Sequence, residues 1–244
     1  MPRLRAFVYV DGLNLYYGAL QGTPYKWLDL SALCARAFPQ FVIEKIWYFT
    51  ADVPGLPADP ATTYRQREYL RALGTLPNVE VKKGFFRFRP KKQQRVDPPY
   101  APNPHMPNPS NHWVKVWRKE EKGSDVNLAT ALVIDAAAKH FEHAWVISND
   151  SDLAWPVERV QSEYGLPIGI LRPERPAGYP SDEPRHDSPE LKAAVPRGMF
   201  RKTTEAQLTA CQFPGELRDK FGAIRKPPSW TVAVPAGDQE IDSN

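Results

Sequence analysis

Short apolar runs alternate along this chain with stretches of helical periodicity, and their order predicts an α/β fold. Ala6 to Val10 is a β-branched and aromatic run that breaks at Asp11-Gly12, as a buried strand does when its end opens into a loop. Leu28, Leu30, Leu33, Cys34 and Phe38 recur at helical spacing behind Asp29 or Ser31 as a cap, and Pro39 stops that helix. Ile43 to Thr50 reads as a second strand. Asp59-Pro60 opens a second helix that carries Tyr64, Tyr69, Leu70 and Leu73 and ends at Gly74. Val79 to Arg89 then predicts a third, longer strand.

Seven prolines between Pro90 and Pro109 exclude helix and central strand, so this stretch is an extended excursion. The chain returns at His112 to Lys119, where Trp113 and Lys115 alternate with Val114 and Val116 in a strand suited to antiparallel pairing with the third. Gly123-Ser124-Asp125 precedes a small-residue-rich helix containing Leu128, Ala131, Leu132 and Ala136, with Ser124 or Asp125 as its cap. Ala144 to Ser148 is the next strand, Asp152 to Tyr164 a helix, and Ile168 to Leu171 a final strand. Four strand-helix alternations imply a mostly parallel central sheet with helices on both faces. After Arg172 the composition turns to Pro, Asp, Glu, Arg and Ser. Apolar residues at helical spacing in Leu191 to Val195 and Thr204 to Cys211 then predict a C-terminal helical extension docked on the core. The expected organisation is one domain over 1–172 with a Pro-rich insertion at 90–110, a linker and extension over 173–234, and a disordered tail over 235–244.

Length and a hydrophobic content of 42% in 244 residues allow a full core and exclude a fibrous or wholly disordered chain. No segment approaches the roughly 20 apolar residues of a membrane span, and two cysteines without metal-ligand spacing suggest reduced thiols, so a cytoplasmic location is expected. Charge adds more. The formal net charge is only +4, yet Lys82, Lys83, Arg87, Arg89, Lys91, Lys92 and Arg95 lie in one acid-free run, which leaves the rest slightly acidic. A concentrated basic strand on such a body is the footprint of polyanion binding, although a solvated hairpin has the same composition. Phe85, Phe86 and Phe88 interleave with these cations, so one strand face could present cations to phosphates while aromatics stack on bases. Core packing is the expected fate of Phe86 and Phe88.

Four aspartates, Asp11, Asp125, Asp150 and Asp152, stand where strands end or helices begin. In open α/β sheets such ends converge at the point where strand order reverses, and clustered carboxylates there repel one another unless a cation joins them. Oxygen donors without His or Cys select Mg²⁺ or Mn²⁺, which can lower the pKa of a bound water and neutralise charge on a phosphate. Each aspartate also has an ordinary explanation as a helix cap or turn residue. Asn14, three residues after Asp11, could hydrogen-bond a ligand of the metal or cap a helix. Ser148 and Asn149 could orient the carboxylates from behind.

The segments Phe7-Val8-Tyr9-Val10-Asp11-Gly12-Leu13-Asn14, Glu121-Lys122-Gly123-Ser124-Asp125-Val126-Asn127 and Val146-Ile147-Ser148-Asn149-Asp150-Ser151-Asp152 resemble the NYN-domain family, the LabA-like branch of the PIN-like nucleases. The resemblance covers roughly residues 5–172. It implies a PIN-like fold, Mg²⁺-dependent ribonuclease activity, and roles at the metal for Asp11, Asp125, Asp150 and Asp152 with Asn14 beside them. Thr130 and Ala131 stand where many members carry one more acidic or His residue.

The leading expectation is therefore an endoribonuclease that hydrolyses single-stranded RNA with a metal-activated water, using Lys82, Lys83, Arg87, Arg89, Lys91 and Lys92 to hold substrate. DNA is chemically admissible as well, since attack by water does not need the 2′-OH. The rivals are a non-catalytic RNA-binding or scaffolding module that retains the acids, and a small-molecule phosphohydrolase lidded by the Pro-rich excursion. Absence of a P-loop and of a DxDx[TV] start weighs against the last. Whether the chain forms a homo-oligomer is open at this level.

Overall fold

The computed structural model describes residues 3–55, 59–94, 113–179 and 186–231. Seven strands form one sheet in the order β4-β3-β2-β1-β5-β6-β7, and all neighbours are parallel except the β3–β4 pair. The strands are β1 (Leu4–Asp11), β2 (Phe41–Ala51), β3 (Val79–Gln94), β4 (Trp113–Lys122), β5 (His143–Ile147), β6 (Ile168–Arg172) and β7 (Phe200–Lys202). From β1 the chain builds outward through β2 and β3 on one side, then returns to build β5, β6 and β7 on the other. The order therefore reverses between β1 and β5, where Val10 lies opposite Ile147. Two loops diverge there and leave a crevice.

Alternation of side chains splits the core into two layers. Val8, Val10, Ile46, Tyr48 and Trp145 point to one face, where α2 (Leu30–Ala37) and α3 (Thr62–Leu73) cover them. Phe7, Tyr9, Phe49, Val146 and Ile170 point to the other, under α4 (Ser124–Ala137) and α5 (Ala154–Tyr164). The expected helices on both faces are present, and β4 returns antiparallel to β3. Cys34 and Cys211 are free and buried.

Beyond Arg172 the expected run of small helices is corrected. Two short helices do form, α6 (Pro189–Ala193) and α7 (Glu205–Ala210), the latter behind a capping box made by Thr204 and Gln207. Between them β7 pairs with β6 and extends the main sheet, and after α7 a hairpin forms from β8 (Glu216–Asp219) and β9 (Gly222–Arg225). A three-residue strand inside polar sequence carries too little periodicity to be read in advance. Arg71 of α3 holds the hairpin through Asp219 at 2.8 Å. Trp230 packs into the aromatic group of Trp27 and Tyr69, with ring centroids 6.1 and 6.2 Å away. Most of the Pro-rich excursion, and the tail over 235–244, lie outside the described residues.

Candidate metal centre

Asp11 closes β1 and is 4% exposed, facing the layer that α4 covers. One carboxylate oxygen accepts the Asn14 backbone N–H at 2.9 Å and so caps the short helix α1 (Gly12–Leu15). Its other oxygen accepts the Ser148 hydroxyl at 2.9 Å. Ser148 in turn accepts the Asp150 backbone N–H at 3.0 Å, which ties the two carboxylate-bearing loops together across the strand reversal. Asp150 caps the 3-10 turn that leads into α5, accepting from Asp152 N–H at 3.0 Å. Capping and clustering are thus compatible here, since a carboxylate has more lone pairs than one cap uses.

Asp125 arrives differently, and its expected capping role is corrected. The N-cap of α4 is Gly123, in a left-handed conformation, with no side-chain cap. The backbone amide of Ser124 is taken instead by Glu121 Oε1 at 3.1 Å. That leaves the Asp125 carboxylate free to face the crevice from the first turn of α4. The turn can sit so low because Gly84 of β3 has no side chain: a Cβ there would lie 2.5 Å from Glu121 Oε1 and from the Lys122 carbonyl.

Asp11, Asp125 and Asp150 each offer an oxygen within 4.8 Å of the others, a spacing that one cation can bridge. Asp152 lies outside this triad and is exposed, close enough only to add its charge to the field at Asp125. Asn14 is not the cap of α1, a place that Asp11 takes. Its Oδ1 accepts the Asn149 backbone N–H at 3.0 Å, which fixes the β5–α5 loop and with it Asp150. Asn149 accepts the Ser188 N–H at 3.0 Å and so anchors the C-terminal extension to the same loop.

Burial first, and then the neighbouring carboxylates, set the titration of the site. Desolvation pushes Asp11 up to about 6 against the pull of its Asn14 and Ser148 hydrogen bonds, and the charges of Asp150 and Glu121 add to the rise. Asp125 is pushed up to about 7 by burial and then by Asp11, Asp150, Glu121 and Asp152. Glu121, which sequence reasoning passed over, thus adds its charge to the field at both Asp11 and Asp125. The signal was available: it sits two residues before the left-handed Gly123, inside a motif already marked.

The six basic residues expected to hold substrate all lie on β3 and are exposed, but they do not share a face. Lys83, Arg87, Arg89 and Lys91 alternate onto one face, where Glu120 of β4 contacts Arg89, Lys91, Arg118 and Lys122 and offsets part of their charge. Counting along one strand missed that cross-strand acid. Lys82 and Lys92 share the other face with Phe86 and Phe88, and with Glu121, Lys119, Trp117 and Lys115 of β4. Phe86 and Phe88 are not core residues: Phe88 is 48% and Trp117 75% exposed, and Lys119 Nζ stands 4.3 Å from the Phe86 ring centre. The face that carries Glu121 at its inner end thus continues outward as an exposed ladder of aromatics and lysines.

No family model matches the chain. Against individual proteins, it is 30% identical to 6-hydroxy-3-succinoylpyridine 3-monooxygenase HspA of Pseudomonas putida over 246 aligned positions, which span 93% of this chain and 75% of HspA. The chain belongs to the HspA family. Among solved structures, that of VPA0982, a protein of unknown function from Vibrio parahaemolyticus, is similar with a TM-score of 0.48 and 16% identity, covering 83% of this chain and 94% of that one. Among the described residues no helix is long and apolar enough to cross a membrane.

Proposed function

We propose that this HspA-family chain is a metal-dependent phosphodiester hydrolase that cleaves single-stranded RNA. The observation that carries the reading is the convergence of Asp11, Asp125 and Asp150 at the strand reversal of a mostly parallel sheet. Their donors are all carboxylate oxygens, a set that suits Mg²⁺ or Mn²⁺ better than the imidazole-bearing sets of non-haem iron oxygenases. Such an ion supplies charge neutralisation at the phosphate and a more acidic water. Asp11, Asp125 and Asp150 would hold it, Ser148 and Asn14 keep Asp11 and Asp150 in register, and Asp152 adds negative charge at the mouth. The aromatic and lysine ladder on β3 and β4 supplies what single strands need, stacking faces beside cations. The NYN resemblance of these same residues supports a PIN-like fold and RNA as the substrate.

Purified protein should cut an unstructured RNA with Mn²⁺ or Mg²⁺, and Asp150→Asn or chelation should abolish cutting. Cutting that survives both belongs to a contaminant, and binding without cutting favours a non-catalytic RNA-binding module. A second reading has one observation in its favour, the alignment with HspA along nearly the whole chain. A monooxygenase reaction on 6-hydroxy-3-succinoylpyridine puts one atom of O₂ into the substrate and releases the other as water, using two protons and two electrons supplied by a reduced nicotinamide or flavin. Oxygen uptake that depends on that pyridine and on a reduced cofactor, in a preparation that leaves RNA intact, decides for it.

A further inference from the structure

A cavity of about 560 Å³ lies between α1, the C-terminal half of β2, α3 and the segment that ends at Trp230. Its volume is within the range of roughly 300–1,000 Å³ typical of small-molecule sites. Tyr16, Tyr48, Tyr69 and Trp230 all line it, and three of these rings brace one another: Tyr48 on Tyr69 and Tyr69 on Trp230, each with centroids 6.2 Å apart and near-perpendicular planes. The Tyr69 hydroxyl is fixed by donating to the Leu28 carbonyl at 2.9 Å. These walls are formed before any ligand arrives.

Lys26 gives the cavity its chemistry. The residue is 9% exposed, lines the cavity, and among the described residues makes no hydrogen bond or ion pair. Arg65 lines the same space but is already held by Asp59 and Thr62. Asp59 is the single acid among the described lining residues, against Lys26, Arg65 and Lys119. Holding a lysine charge at a largely covered position is costly, and a second cation nearby adds to the cost. Burial, and then the Arg65 charge, hold the Lys26 amine below its ordinary pKa against the smaller opposing pull of Asp59. An anion would relieve both.

We infer that this cavity binds a planar aromatic molecule carrying one anionic group, with the ring among the tyrosines and Trp230 and the anion at Lys26. A nucleoside monophosphate and an aromatic carboxylate share this chemistry. Gly12, the residue after Asp11, lines the cavity, and the Tyr48 ring packs so closely on it that a Cβ there would stand 2.5 Å from Tyr48 Cζ. The inference rests on neither reading of the acidic cluster.

Calorimetric titration in EDTA tests it with two matched pairs of probes, adenosine 5′-monophosphate against adenosine and 4-hydroxybenzoate against phenol. At least one anionic probe should bind at least about tenfold more tightly than its neutral partner. Lys26→Met should erase that preference, and Lys26→Arg should keep it. The melting temperature of Lys26→Met should stay at or above that of the parent, since the variant removes a desolvated charge. The pair that responds tells a nucleotide from an aromatic acid. No preference for either anionic probe, or a preference that Lys26→Met leaves intact, overturns the assignment and makes Lys26 a stem that merely covers apolar surface. With metal chelated throughout, failure here says nothing about RNA cleavage, and failure to cleave RNA says nothing here.

Discussion

Replacing Asp11 by Asn should change the stability of the metal-free protein with a sign that depends on pH. Burial lifts the Asp11 carboxyl from 3.8 to about 6 in the folded state, and each pKa unit is worth about 1.4 kcal/mol. Ionised Asp11 therefore costs the fold about 3 kcal/mol at pH 8. Between pH 3.8 and about 6 the folded state binds more protons than the unfolded one, so stability falls as pH rises through that window and is fully regained only below it. Asn cannot ionise, so it removes the cost at high pH. It keeps the bond from Asn14 N–H, but it cannot accept the Ser148 hydroxyl with its amide nitrogen, a loss of about 1 kcal/mol. Asp11→Asn should thus be about 2 kcal/mol more stable than the parent at pH 8, and about 1 kcal/mol less stable near pH 4. Removing the charge also relieves Asp125, which adds in the same direction at high pH. Urea unfolding in EDTA at the two pH values measures this, and because all other groups titrate in both proteins the difference isolates the site. A stability difference of the same sign and size at both pH values would falsify the argument that Asp11 is a desolvated, repelled carboxylate.

Four further outcomes follow from the same geometry. Mn²⁺ should raise the melting temperature at pH 8 and much less at pH 5, where protons occupy Asp11 and Asp125, and Asp125→Asn should lose most of the rise; an equal shift at both pH values would place the ion elsewhere. Asn14→Ala should weaken Mn²⁺ binding by loosening the β5–α5 loop, with at most about 1–2 kcal/mol lost from unfolding stability in EDTA. Trp117→Ala together with Phe88→Ala should lower affinity for a single-stranded RNA by roughly tenfold or more while leaving Mn²⁺ titration unchanged, and unaltered RNA affinity would remove the ladder from the substrate path. Gly84→Ala should destabilise the protein by about 1–3 kcal/mol, because its Cβ meets backbone at the Lys122 carbonyl, and should weaken Mn²⁺ binding as the start of α4 is displaced.

The strand reversal was legible because Ala6 to Val10 and Ala144 to Ile147 are short apolar runs followed at once by polar residues, so Asp11 and Asp150 could be placed at strand ends. Asp125 was legible as a participant but not for its geometry, since Ser124 or Asp125 as a cap is the ordinary expectation and Gly123 with Glu121 does that work instead. The role of Asn14 was hidden for a related reason. Its Oδ1 meets the Asn149 amide, 135 positions away, and no local pattern encodes such a pair. The division of the basic run between two faces follows from the period of a strand, yet its partial neutralisation by Glu120 depends on the register of β4, which alternation alone does not fix. The cavity at Lys26 was invisible to sequence reading because its walls come from α1, β2, α3 and the C-terminal segment, and a lone lysine between Tyr25 and Trp27 has no periodicity.

The β3–β4 hairpin joins the two halves of the proposed function mechanically as well as chemically. Glu121 lies on the same face as the exposed Phe88, Trp117 and Lys119, and the same side chain accepts the first amide of α4 and raises Asp125 by its charge. The hairpin therefore meets the first turn of α4, which carries Asp125, through one carboxylate and the close approach at Gly84. A single-stranded RNA bound along the ladder, as proposed, would lie on the face that carries Glu121 and so next to the start of α4. Mn²⁺ affinity should accordingly differ with and without a non-cleavable single-stranded RNA in parent protein, and that difference should shrink in Glu121→Gln, which can still accept the Ser124 amide but no longer carries the charge. Equal metal affinity with and without RNA in the parent would mean that the ladder and the acids act as independent parts.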